Sequence, residues 1–175
     1  KVIEIPVDHN MYDNYRLIET DPKNIKELSK PFEYDLTMGT EVAEHQGAYF
    51  YTIGQRRGLH IGGRPNPSFV IGTDVVENIV YSGQTDKHGG LNRIALKIDF
   101  SNLHFVSSKY DLKSMNNLEC SVRIRYRQAI QKCSVHVLDD GIYVLFKDSQ
   151  RGITPGQFAA FYVGDEIIAS GIISH

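Results

Sequence analysis

A chain of 175 residues, 41% hydrophobic and 23% charged, can bury a core for one ordinary domain or two small ones, so a folded, soluble protein is expected. Its apolar runs fall short of the roughly 18 residues of a membrane span, and KVIEIPVDHN lacks the charged start and apolar centre of a signal peptide, so a cytoplasmic or organellar-matrix location is expected. A net charge of −2 says little about partners by itself, and without an overall basic pI a wholly nonspecific nucleic-acid binder is not expected, yet the charge is uneven: acids crowd the first forty-odd residues, whereas Arg56, Arg57 and Arg64, then Arg123, Arg125 and Arg127, form basic clusters.

Residues 1–35 have weak periodicity. Val2, Ile3, Ile5 and Val7 suit a short strand ending near Pro6, and Asp21-Pro22 before KNIKELSK reads as a helix start with proline in its first turn. Ile25 and Leu28 are that helix's only apolar pair, and Pro31 closes it, so a linker or short helical segment is expected here.

From Phe32 the pattern turns to strands. LTMGTEVAEHQGAYFYTIG reads as a hairpin-like pair, and Phe69-Val70-Ile71 and Ile79-Val80-Tyr81 read as two strands joined around Glu77-Asn78. Between them Tyr49–Gly63, YFYTIGQRRGLHIGG, combines an alternating aromatic and β-branched run, a Gln-Arg-Arg cluster and four glycines. The run is expected to be a strand broken at Gly54, followed by a cationic loop suited to an anionic partner. TDKHGGLN, residues 85–92, is polar and is expected to connect two subdomains, 36–90 and 91–175.

The last eighty or so residues alternate almost without interruption. IALKIDF, CSVRIRYRQ, CSVHVLDD, IYVLFKD, QFAAFYVGD and EIIASGIIS are six candidate strands, and closure into a small antiparallel barrel would remove their edges. The fold class expected is therefore mainly β, a small β-rich central module followed by a six-stranded antiparallel β-barrel. On a continuous strand Arg123, Arg125 and Arg127 share one face. That spacing matches successive phosphates, each held bidentately, and equally describes a solvated outer barrel face. In QRGITPGQ the Pro155-Gly156 pair predicts a type II turn, after which Gln157 can present an amide.

Chemical signatures are sparse. Neither GxxxxGK[ST] nor GxGxxG occurs, the seven histidines form no HxH or HExxH, and no nucleophile-base arrangement is legible, so no catalytic residue and no metal site are expected within this chain. Cys120 and Cys133 lie in strand-like stretches and are expected to be buried thiols acting as small hydrophobes.

YTIGQRRGLHIGG, FVIGTDVVENIVYSGQ, VRIRYRQ, RGITPGQFAAFY and SGIIS occur in an order and spacing that resembles the C-terminal part of the tRNA-specific 2-thiouridylases, over about residues 36–175. The resemblance implies a parent enzyme that uses ATP to activate the 2-carbonyl of a wobble uridine and replaces its oxygen with persulfide sulfur. It implies tRNA and a sulfur-donor protein as partners, and a barrel resembling the second domain of translation elongation factors. The family's SGGxDS nucleotide loop and both working cysteines are missing from this chain, which implies a fragment inactive alone. The family's tRNA contacts fall here on Arg125, Tyr126 and Gln157, and Gln55, Arg56, Arg57, Arg123 and Arg127 are a further region for tRNA or the catalytic domain. The pattern departs at LHFV, where Phe105 stands in place of a frequent Trp. The alternative reading is a protein-interaction module that docks a sulfur carrier or the catalytic domain, its arginines merely solvated.

Overall fold

The computed structural model describes residues 1–174. It is mainly β and divides into two compact units, Lys1–Leu17 with Phe32–Asn92, and Ile18–Pro31 with the residues from Arg93 on.

The first unit is a four-stranded sheet with both faces covered. Its strands are β1 (Val2–Glu4), β2 (Thr40–Ala43), β3 (Ser68–Asp74) and β4 (Ile79–Gln84), ordered β2-β1-β4-β3, with β1 parallel to β4 and the other pairs antiparallel. Strand alternation sends Ile3, Phe69, Ile71, Ile79 and Tyr81 to one core, closed by Tyr12 of helix α1 (Asn10–Leu17) and by Leu91. Val2, Val70 and Val80 face the other core, closed by Ala48 and Leu59. Two buried faces explain why these strands read as continuous apolar runs.

Several expectations for this region change. Residues 1–35 are not a linker: β1 is an interior strand, paired with β2 and β4, and α1 covers the sheet. The helix foreseen after Asp21 is present as a 3-10 turn, Pro22–Asn24, leading into α2 (Ile25–Ser29). The Asp21 carboxylate caps it by accepting from the Lys23 backbone N–H. Residues 36–50 form no hairpin; they make 3-10 turns at Leu36–Met38 and Ala48–Phe50 around β2, which finds its partner in β1. TDKHGGLN runs to the end of the first unit at Asn92, and within it His88, Gly90 and Leu91 are buried.

The second unit is a curled seven-stranded sheet, not six-stranded. Its strands are β5 (Asn92–Ile98), β6 (Leu103–Phe105), β7 (Leu118–Arg123), β8 (Gln131–Leu138), β9 (Gly141–Arg151), β10 (Phe158–Val163) and β11 (Glu166–Ile172). They run in the order β5-β9-β8-β7-β10-β11-β6, and just past β11 the Ser174 N–H donates to the Lys97 carbonyl at 2.9 Å, bringing the chain back to β5. Alternate residues Cys120, Val122, Cys133, Val135, Ile142, Val144, Phe146, Ala159 and Phe161 fill the concave core, which the short helix α3 (Leu112–Met115) joins through Met115. Helix α2 packs on the outer face of β9. There buried Arg93 donates to the Ser29 carbonyl at the helix end (2.7 Å) and to the Ile153 carbonyl (3.1 Å). A cation on that carbonyl answers both its unpaired lone pair and the helix dipole.

Candidate nucleic-acid interface

In the second unit the arginine ladder expected along β7 ends early. The strand stops at Arg123, and residues 125–128 fold into a turn closed by the Gln128 N–H on the Arg125 carbonyl at 3.1 Å. The three arginines therefore take three different positions. Arg123 lies over the Tyr162 ring, 5.8 Å from its centroid, a cation-π contact with a neighbouring strand. Arg125 turns inward, half-buried, and its Nη2 donates to the Gly152 carbonyl at 2.8 Å. Arg127 is exposed at the turn, where no salt bridge holds it among the described residues. Beside it Tyr126 is 90% exposed, the most solvated large apolar side chain among the described residues.

Both ends of this turn are tied down. Arg125 clamps one end, and at the other the Gln128 Nε2 donates to Gln150 Oε1 on β9 at 2.9 Å. Gln150 itself donates to the Asp148 carbonyl at 2.7 Å, which fixes its amide orientation. Gly152 has φ +68°, and a Cβ there would run into the Arg125 guanidinium, so glycine is required both for the backbone and for the arginine's approach. Burial, and then the charge of Arg151, push Arg125 below its ordinary pKa; an arginine nonetheless stays protonated and keeps its donors.

The Gly152 carbonyl also links this turn to the second motif. Thr154 Oγ1 donates to it at 3.0 Å, and Thr154-Pro155-Gly156-Gln157 forms the expected turn, with the Gln157 N–H on the Thr154 carbonyl at 3.3 Å and φ +83° at Gly156. The Gln157 backbone is pinned to Ile173, while its side-chain amide is partly exposed and has no hydrogen-bond partner among the described residues. One carbonyl thus joins the segments that hold Arg125, Tyr126 and Gln157, distant in sequence.

In the first unit the YFYTIG run is not a strand. Ala48–Phe50 is a 3-10 turn whose Ala48 N–H donates to Asn78 Oδ1 at 2.8 Å, and Tyr49 and Phe50 are exposed. Gln55 is occupied internally: its Oε1 accepts from the Thr52 N–H (3.2 Å) and its Nε2 donates to the Arg57 carbonyl (2.9 Å). That leaves Arg56 and Arg57 as exposed cations, neither in a salt bridge among the described residues.

Cys120 and Cys133 face each other across β7 and β8 with Sγ atoms 3.7 Å apart, both reduced and buried. The hydrogen bond with Cys120, and then burial, hold the Cys133 thiol far above its ordinary pKa, while the same contact lowers that of Cys120; both sulfurs are shielded from solvent, where an exposed thiolate would react.

Two family models match the chain, the tRNA methyl transferase PRC-barrel domain over residues 16–84 and the Aminomethyltransferase beta-barrel domain over residues 96–173. A tRNA-specific 2-thiouridylase MnmA of Christiangramia forsetii is 41% identical over 174 residues, which is 99% of this chain and 44% of the relative. The chain belongs to the MnmA family, as its C-terminal part. Its counterpart from Flavobacterium johnsoniae is 43% identical over 152 residues, 87% of this chain and 38% of the relative. The chain thus spans less than half the length of these MnmA relatives. Within the MnmA match, Gln55, Arg56 and Arg57 fall in the PRC-barrel segment, and Arg123 to Gln157 in the β-barrel segment. Gly152, Gln128 and Gln150, which build the clamp, do not stand out by residue type; the QRG of QRGITPGQ, beside the Pro-Gly turn, is the sequence signal for it.

Proposed function

We propose that this chain is the tRNA-recognition portion of a 2-thiouridylase, binding through the turn that presents Tyr126 and Arg127 and through the Gln157 amide. The observation that carries the reading is the clamped turn. An aromatic ring and a guanidinium stand in solvent on a loop tied at one end to Gly152 and at the other to Gln150. Such a pair is suited to an unstacked base and its phosphate: the ring offers a stacking face, and the cation releases counterions from the backbone. Pre-ordering the turn means that little conformational freedom is lost on binding. Arg123, held over Tyr162, adds positive potential behind the site.

The parent's reaction in this reading is ATP-dependent 2-thiolation of the wobble uridine of tRNA, with sulfur delivered by a donor protein. ATP is assigned to the part of the parent outside this chain. The loops that lead from a strand into an α-helix here, residues 5–9 and 106–111, contain no glycine to cradle phosphates, which supports the reading that the chain alone is inactive. The exposed Arg56 and Arg57 are a second region for tRNA or the catalytic domain.

The test is a titration of labelled tRNA with the purified chain at increasing KCl. Affinity should fall linearly on a log-log plot, and Tyr126→Ala should weaken it. A chain that captures a sulfur-carrier protein but has no tRNA affinity at low salt would instead establish the protein-interaction reading.

A further inference from the structure

The first unit contains a cationic cleft that the two turns of the second unit do not involve. After Gly58 the chain alternates. Leu59 is buried and Ile61 half-buried against the Val2, Val70 and Val80 face, which leaves His60 exposed between them, at φ +51°. The loop then returns to β3 and encloses an open cleft of about 430 Å³ whose polar lining is Arg56, His60, Arg64, Asn66 and Ser68, with no carboxylate lining it. Arg64 is positioned at its edge by Glu4, Nε to Oε2 3.4 Å, and Glu4 is in turn held by the Gln84 amide at 3.0 Å. Ser68 Oγ is buried with no hydrogen-bond partner among the described residues.

We propose that this cleft is a phosphate-binding site, filled by a phosphodiester of RNA. The lining is rich in donors: two guanidiniums, a ring N–H, an amide and a hydroxyl. That set suits a phosphate and repels a cation. Gln55 and Arg57, which the sequence groups with Arg56, are not among the residues that line it. RNA is favoured over a free anion because a second cleft, of about 350 Å³, shares His60 and is lined also by Glu44, His45, Gln46 and Tyr51, a lining that suits an uncharged nucleoside and not a second phosphate. A strand passing His60 places a neighbouring nucleoside beside the Tyr51 ring, space that a free phosphate would not use. The choice of RNA rests on the tRNA reading above; the phosphate chemistry does not.

Two substitutions test the site without disturbing the fold. Arg56→Gln removes an exposed donor, and His60→Asn puts at φ +51° a residue that tolerates it. Arg64 is left in place, since its removal would strand the Glu4 carboxylate. In tRNA titrations of the full chain against KCl, each variant should weaken binding about 3- to 10-fold, and Arg56→Gln, which removes a cation, should also make the salt slope shallower by about one. If Tyr126→Ala weakens tRNA binding while both cleft variants keep wild-type affinity and slope, the cleft inference is overturned and the tRNA reading stands. In a second arm the His60 ring signals are followed by NMR as inorganic phosphate, and separately a short single-stranded RNA, is added. A response to the RNA at concentrations where inorganic phosphate gives none supports the proposal. An equal response to both, in a chain with no tRNA affinity, overturns the RNA source together with the tRNA reading, and silence toward both overturns the site itself.

Discussion

Gly152→Ala probes the clamp beneath the proposed tRNA turn most sharply. Alanine at φ +68° costs about 1–2 kcal/mol in backbone strain alone. Its Cβ also meets the Arg125 guanidinium, with Cζ at 3.0 Å, so the arginine must leave the Gly152 carbonyl. A hydrogen bond to a charged group is worth about 1.5–3 kcal/mol, and solvent compensates part of it at this half-buried site, so the whole loss should be about 3 kcal/mol. Urea unfolding should show a lowered midpoint with an unchanged slope. Repeating the substitution in an Arg125→Ala background isolates the contact: there Gly152→Ala should cost only the strain, a coupling of about 1 kcal/mol or more. Equal costs in both backgrounds would mean that Arg125 is not seated on Gly152, and the clamp would have to be abandoned.

Two further outcomes follow from buried groups. The wholly buried His88 sits with Nε2 3.2 Å from the Ile5 carbonyl and Nδ1 accepting from the Gly90 N–H, and burial lowers its pKa. Below about pH 6.5 the unfolded chain takes up a proton that the folded imidazole refuses, so stability should fall with pH until the folded pKa is reached, by up to about 1.4 kcal/mol per unit. His88→Gln should remove that component; pH–stability curves that stay parallel to wild type would contradict it. The two thiols should be inert to a disulfide reagent in the native chain and both titrate in urea, whereas rapid labelling of either in the native state would contradict their burial.

Where strands obey a period of two and pair with near neighbours, the sequence was readable. All six expected barrel strands are present: Cys120/Val122 and Cys133/Val135 alternate against more exposed partners, Ile142–Phe146 is a continuous buried run, and tight turns join β8 to β9 and β10 to β11. β6 escaped notice because only Leu103–Phe105 is paired, at the sheet edge beside β11. β1 was visible as a strand but not as an interior one: its partners, Val80 to Ser82 and Thr40 to Ala43, are distant in the chain, and no local pattern announces a parallel pairing. YFYTIG alternates as a strand would, yet Gly47 at φ +147° and the Asn78 amide on the Ala48 N–H impose a turn instead. Among the candidate site residues, spacing placed three arginines on one face. Tertiary contacts divided them, because the Gly152 carbonyl draws Arg125 inward while Tyr126 and Arg127 stay in solvent.

The most direct measurement is the affinity of the chain for tRNA as a function of KCl, for wild type, Tyr126→Ala and Arg127→Ala. A stacked base is worth about 1–3 kcal/mol, so Tyr126→Ala should weaken binding by roughly 5- to 150-fold with little change in salt slope. Arg127→Ala should make the slope shallower by about one, and both variants should unfold at the wild-type urea midpoint. Wild-type affinity and slope in both variants would contradict the assignment of this turn as the tRNA contact.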